Sequence, residues 1–422
     1  MNEIRDLIIG IDFGPEHSQI TYYDRKEGEP QSVPEKVGSG VLEIPTVLCS
    51  RSDRYGFCIG LEAIYFASEK EGILIRDLYR ICESEEEVPV GDVMVRPFKL
   101  LAEFLICILR LLGAADVVRN TKCLAITSPQ LSAVQVRNFS MACDEIGLLR
   151  EEYFLMDYSQ SFFYYAMTQR RENWNRNIGW YDFRKDEVIF FRLSVQGGTG
   201  PVSVRLKRSG EETLPQEGAV RDSAFTRFVK ETLSSELYST IFITGDGFSQ
   251  EWAVRSIKVL CQQQRRVFFG NNLFAKGACA GAKERLEDHN LKGYRFLSDS
   301  MVLTNVGMEM QVMGAPAYHP LIEAGKSWYE YHVQCEMILD EAEQLVFVVS
   351  KAGETEKTRA VMELPGLPER PPRTTRLKLE MEYVSASECV IRVRDMGFGE
   401  LFPSSGRTWE ETVDFSRPSG TA

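Results

Sequence analysis

Leu7-Ile8-Ile9-Gly10-Ile11-Asp12-Phe13-Gly14 is an apolar run that ends in an acid and a glycine. Apolar residues this dense read as a buried strand. Gly14 permits a turn whose backbone approaches a phosphate closely. Asp12, at the strand's end, suits a hydrated Mg2+. Gln19-Ile20-Thr21-Tyr22-Tyr23 follows at hairpin distance, so a plain N-terminal hairpin explains the stretch equally well when it is taken alone. Later stretches, in a fixed order, decide between the two.

Outward from that stretch, 422 residues are too many for one core, and two or three domains are expected. A hydrophobic share of 44% and a charged share of 26% are those of an ordinary globular protein. The net charge of -12 argues against nucleic acid or an anionic membrane as a partner, since both need basic surface. Ten cysteines without a Cys-x-x-Cys pair, most of them inside apolar runs, read as buried free thiols of a reducing compartment. His17, His289, His319 and His332 show no metal-ligand spacing. The N-terminus lacks the plan of a signal peptide. The greasiest segment, 98–118, carries Lys99, Glu103 and Arg110, with its apolar residues on one helical face. It reads as a core helix rather than a membrane span, and the expected location is cytoplasmic.

Along the chain, Lys122-Cys123-Leu124-Ala125-Ile126-Thr127-Ser128-Pro129 predicts a strand stopped by proline, then a helix over 132–146. Tyr153-Phe154-Leu155-Met156-Asp157 leads into another helix. Trp180-Tyr181-Asp182-Phe183 then restarts the strand pattern, with strands at 187–193 and 201–207 and a helix at 222–235. Thr240-Ile241-Phe242-Ile243-Thr244 is a buried strand ending in Gly245-Asp246-Gly247, before a helix over 252–263. The small residues of Ala275–Ala282 predict a helix that packs close to other backbone. Beyond residue 300, period-two alternation through 331–339, 345–349, 377–383 and 389–393 predicts a β-sandwich. Pro365-Gly366-Leu367-Pro368-Glu369-Arg370-Pro371-Pro372 punctuates it.

In this order, Ile11-Asp12-Phe13-Gly14, Tyr181-Asp182-Phe183 and Ile243-Thr244-Gly245-Asp246-Gly247 resemble the skeleton of the actin-like ATPase superfamily. Within it the chain looks most like the seventy-kilodalton heat-shock chaperones. Met362-Glu363-Leu364-Pro365-Gly366-Leu367-Pro368, with the alternating strands after it, resembles their β-type peptide-binding domain. The resemblance implies an α/β two-lobed, actin-like (ribonuclease-H-like) ATPase fold followed by that β domain. The expected parts are lobe I over 1–165, a shortened lobe II over 166–296, the β domain over 301–415 and a tail over 416–422.

The resemblance also assigns roles. Asp12, Asp157, Asp182 and Arg76 take the catalytic places, with Asp12 and Asp182 holding Mg2+ through water. Gly14, Gly245, Asp246 and Gly247 take the ATP/ADP-binding places, and Met310, Val312 and Met313 lie on the peptide-gripping loop. The phosphate loops depart from the family. Pro15 and Glu16 follow Gly14, and Arg184-Lys185-Asp186-Glu187 stands where a glycine-rich loop would be. Pro15 offers no N–H donor and Glu16 brings negative charge. Arg184 and Lys185 either replace backbone donors with charge or form a solvated turn. Arg76 replaces a lysine for which it is a poor substitute. The subdomain expected between 193 and 240 and the C-terminal helical lid both look absent. Three functions follow: a chaperone-like binder of a polypeptide or protein partner with a degenerate nucleotide site, an ATP-hydrolysing chaperone, or a non-catalytic scaffold.

Overall fold

The computed structural model describes residues 6–36, 38–52, 56–113, 116–197, 201–312, 314–340, 343–354 and 356–417. It divides into two compact units, Met1–Arg295 and Phe296–Ala422.

The first unit contains one strand path twice. Strands β1 (Leu7–Phe13), β2 (His17–Asp24), β3 (Glu29–Val33), β4 (Thr121–Ser128) and β5 (Tyr153–Asp157) lie in the order β5-β4-β1-β2-β3. Strands β6 (Asn177–Arg184), β7 (Glu187–Gln196), β8 (Val202–Thr213), β9 (Tyr238–Thr244) and β10 (Arg266–Phe269) repeat it as β10-β9-β6-β7-β8. In each half the first three strands are antiparallel and the last two run parallel to the first. Parallel neighbours need helical crossovers, which explains the alternation of strand and helix in the sequence. They are α2 (Pro97–Arg110) and α3 (Ala133–Glu145) in the first half, and α5 (Gly218–Thr232) and Val254–Leu260 in the second. Helix α2 buries Leu101, Phe104, Leu105 and Ile108, the face its spacing predicts. Helix α3 starts at a capping box formed by Ser132 and Gln135. Helix α5 begins at Gly218, four residues before the predicted start, and the helix expected over 252–263 shortens to Val254–Leu260.

The first half carries an insertion between β3 and α2. It holds helix α1 (Gly60–Ser68), a sheet of Leu48–Arg51, Phe57–Ile59 and Gly72–Ile75, and a hairpin of Val88–Val90 and Val93–Val95. In the second half β8 passes directly to α5, with no comparable insertion among the described residues.

Each half ends in a helix, α4 (Tyr158–Met167) and α6 (Leu273–Lys283), and the two pack on each other. Helix α6 belongs to the second half but lies on β1 of the first. A side chain at Gly10 would sit 2.3 Å from Ala275 O and 2.5 Å from Cys279 N, so only glycine lets the helix rest on the strand. The Thr21 hydroxyl donates to Ala275 O at 2.7 Å. From the other side, Phe162 of α4 stacks on Trp180 of β6 at 4.8 Å.

The second unit holds β11 (Thr304–Val312), β12 (Ala315–Ile322), β13 (His332–Leu339), β14 (Gln344–Lys351), β15 (Thr358–Glu363), β16 (Thr375–Tyr383), β17 (Glu388–Asp395) and β18 (Thr408–Asp414). They form two four-stranded antiparallel sheets, β12-β11-β14-β15 and β13-β16-β17-β18. The alternating residues Leu345, Phe347, Val349, Leu377, Leu379, Met381, Cys389, Ile391 and Val393 are buried. The peptide-gripping loop expected around Met310 and Val312 is instead, in its described residues, the end of the β11–β12 hairpin. The proline-rich turn is tied down by Arg370, whose guanidinium pairs twice with Asp395 at 2.8 Å. All ten cysteines are unpaired thiols, nine of them at least partly buried.

Candidate functional site

Where the two halves of the first unit meet, the ends of β1, β6 and β9 form a ring of contacts around Tyr158. Asp12 ends β1 buried, and its Oδ1 accepts the Tyr158 hydroxyl at 2.8 Å. The Tyr158 ring lies flat on Phe274 of α6, with centroids 3.6 Å apart and planes 7° apart. Asp182 of β6 is close enough to help raise the Tyr158 pKa, behind burial and Asp12. The two Asp182 oxygens have partners of their own, Thr244 Oγ1 at 3.1 Å and Arg184 Nε at 3.0 Å. The Trp180 indole N–H in turn donates to Thr244 Oγ1 at 2.8 Å. Beside Thr244, Gly245 N–H donates to Asn271 Oδ1 at 2.7 Å. Asn271 Nδ2 reaches Glu43 Oε1 at 3.0 Å and Asp246 Oδ1 at 3.3 Å, and so bridges the two halves. Glu43 is near enough to Asp12 to add to the rise of its pKa, which closes the ring.

The structure thus brings Asp12, Asp182, Gly245 and Asp246 together. Asp157 stands beside them as the N-cap of α4, its Oδ1 accepting Gln160 N–H at 2.8 Å. Arg76 is exposed and takes no part in these contacts; Tyr79, three residues on, faces Tyr158 instead. Met310 is half-buried on β11, Val312 ends that strand, and Met313 lies outside the described residues.

The segments that the resemblance assigns to phosphate binding are engaged elsewhere. The first loop is a tight hairpin turn in which Gly14 N–H donates to His17 O at 3.1 Å. The second is a two-residue turn, Lys185-Asp186, between Arg184 and Glu187. Arg221 of α5 clamps it, donating to Asp186 Oδ1 at 2.9 Å, to Lys185 O, and to Gly247 O at 3.1 Å. Gly245 has φ +93°, and a side chain there would meet Phe183 O at 1.8 Å. Its glycine identity therefore serves backbone packing between β6 and β9. Gly247 likewise lies against Lys185 O.

Electrostatics point the same way. Burial pushes the Asp12 carboxyl up to about 8, against a weaker lowering by Tyr158, so it is mostly neutral at pH 7. Burial also raises Asp182, opposed by Arg184 and Thr244. The carboxylate oxygens a hydrated cation would use already have partners here, Tyr158 on Asp12 and Thr244 and Arg184 on Asp182. Among the described residues no group of three or more His, Cys, Asp or Glu is placed to hold a metal. Bound MgATP needs free backbone donors and an ionised carboxylate, and the residues present do not fit it.

Tyr158, Phe274, Asn271 and Arg221 are the members of this site that sequence reasoning missed. No spacing or periodicity in the sequence joins these residues to the strand ends they contact.

Residues 29–299 match the model described as the C-terminal region of the family of unknown function DUF5716, and the chain belongs to that family. Residues 301–415 match a domain of unknown function, DUF8552. No curated protein matches the chain. Among the described residues no helix is long and apolar enough to cross a membrane.

Proposed function

We propose that this chain is a chaperone-like polypeptide binder of actin-like architecture, working in the cytoplasm without a nucleotide cycle. The doubled strand path supports the actin-like reading of the first unit. The pair of four-stranded sheets supports a peptide-binding β domain in the second. The observation that carries the loss of the nucleotide cycle is the Tyr158 hydroxyl bonded to Asp12. Phosphoryl transfer is positioning and charge neutralisation, and here the positioning groups are spent on the protein itself.

Titration of the full chain with fluorescein-labelled apolar heptapeptides tests the reading. Pairing along an exposed strand edge is expected to be fast and weak, on the order of micromolar, and unchanged by MgATP. No saturable binding would remove the polypeptide reading and leave a scaffold. Binding that MgATP changes several-fold would restore the ATP-driven alternative.

A further inference from the structure

We infer that β13 is the edge at which the second unit takes up an extended polypeptide, by adding it as a fifth strand to the sheet. The inference rests on the polypeptide-binding reading and locates the site within it.

Hydrogen bonding fixes which way β13 faces. Val384 N–H donates to Glu388 O at 3.0 Å and Met396 N–H to Arg376 O at 2.9 Å, so even-numbered residues of β16 turn their backbone groups to β17. The odd-numbered ones therefore face β13, where they pair with Val333, Cys335, Met337 and Leu339. His332, Gln334, Glu336 and Ile338 are left with N–H and C=O directed at an edge that no other strand pairs among the described residues. The ladder has no register shift and β13 has no proline. On the inner face, Val333, Cys335 and Leu339 are only half-buried, as an edge would leave them before a further strand covers them.

The other three edges are blunted. Ala352 N–H donates to Leu303 O at 2.9 Å, which turns the odd residues of β11 to β14 and its even residues to β12. In β12 the outward positions are then 316, 318 and 320, and two of them are Pro316 and Pro320. Proline on an edge removes the donor an added strand needs. Strand β15 is short, with Arg359, Val361 and Glu363 outward. Strand β18 turns Glu410 and Asp414 outward. An edge left open while its neighbours are closed is the arrangement that β-augmentation uses. Glu336, half-exposed and only loosely paired with Arg376 at 3.5 Å, favours a lysine or arginine in the incoming strand.

The probe is a fluorescein-labelled heptapeptide alternating valine with lysine or threonine, titrated into the full chain. Gln334→Pro with Glu336→Pro removes two outward donors and leaves every donor toward β16 in place. The double variant is expected to weaken binding roughly tenfold or more. The same peptide N-methylated at its three central residues is expected not to bind the unaltered protein, a control that needs no variant. Unmethylated peptide that binds both proteins equally, and binds as well when methylated, overturns the edge assignment and leaves the polypeptide reading standing. No binding of any peptide removes both. Sedimentation showing self-association of the unaltered protein that the double variant loses, with no competition by peptide, makes the occupant a second copy and overturns the proposal.

Discussion

Asp395→Ala is expected to destabilise the β unit by about 3–5 kcal/mol, because it leaves the Arg370 guanidinium buried and unpaired. The two side chains are 6% and 0% exposed, the most completely buried ion pair of the unit among the described residues. Asp395 also accepts Gly397 N–H at 3.0 Å and Ser405 N–H at 2.8 Å. One carboxylate thus holds the proline-rich turn and the loop after β17 to the sheet. Arg370 is the first cause holding its pKa well below the usual carboxylate range. The stabilisation is therefore present above the unfolded value near 4 and is lost as pH falls below it. In calorimetry the β-unit transition should drop by roughly 10 °C or more. Arg370→Met with Asp395→Leu should recover part of that loss, since apolar residues of similar size often replace a buried pair at little cost. A fall of under about 1 kcal/mol for Asp395→Ala would show the pair to be solvated.

Asp12→Asn is expected to stabilise the first unit, increasingly so as pH rises. The folded carboxyl titrates at about 8 and the unfolded one near 3.8. Between these values the folded state binds a proton that the unfolded state lacks, so this group's contribution declines as pH rises and is fully lost above 8. The slope is at most about 1.4 kcal/mol per pH unit. Asparagine still accepts the Tyr158 hydroxyl and has nothing to titrate. The difference in stability between variant and native protein should be near zero at pH 4 and reach several kcal/mol at pH 8. Denaturant melts at both pH values measure it. A flat difference would mean that Asp12 is ionised throughout and available to a cation.

Much of the first unit was legible in the sequence because its signals are local. The apolar runs ending at Asp12, Asp182 and Thr244 mark strand ends on their own residues. The doubled order of the sheets was less legible, since parallel pairing of β1 with β4, or β6 with β9, joins residues far apart in sequence. The start of α5 was missed because Gly218 follows Pro215 and reads as loop, although the first turn of a helix tolerates it. The loop around Met310–Met313 was expected from the resemblance alone; that Pro316 and Pro320 belong to a strand was not legible, because period and propensity do not show which side of a strand is unpaired, and only an edge admits them. At the site, the missing glycines were plain, but the hydroxyl bonded to Asp12 was not. Tyr158 looked like the first residue of a connecting helix, and nothing in its spacing joins it to Asp12.

The most direct test is isothermal titration of the full chain with ATP and ADP in millimolar Mg2+. A closed site predicts no heat beyond dilution and no rise in melting temperature. Ligand at 100 times its dissociation constant would add about 2.7 kcal/mol, too much to miss. Saturable binding that Asp12→Ala abolishes would contradict the closed site and favour the ATP-driven alternative.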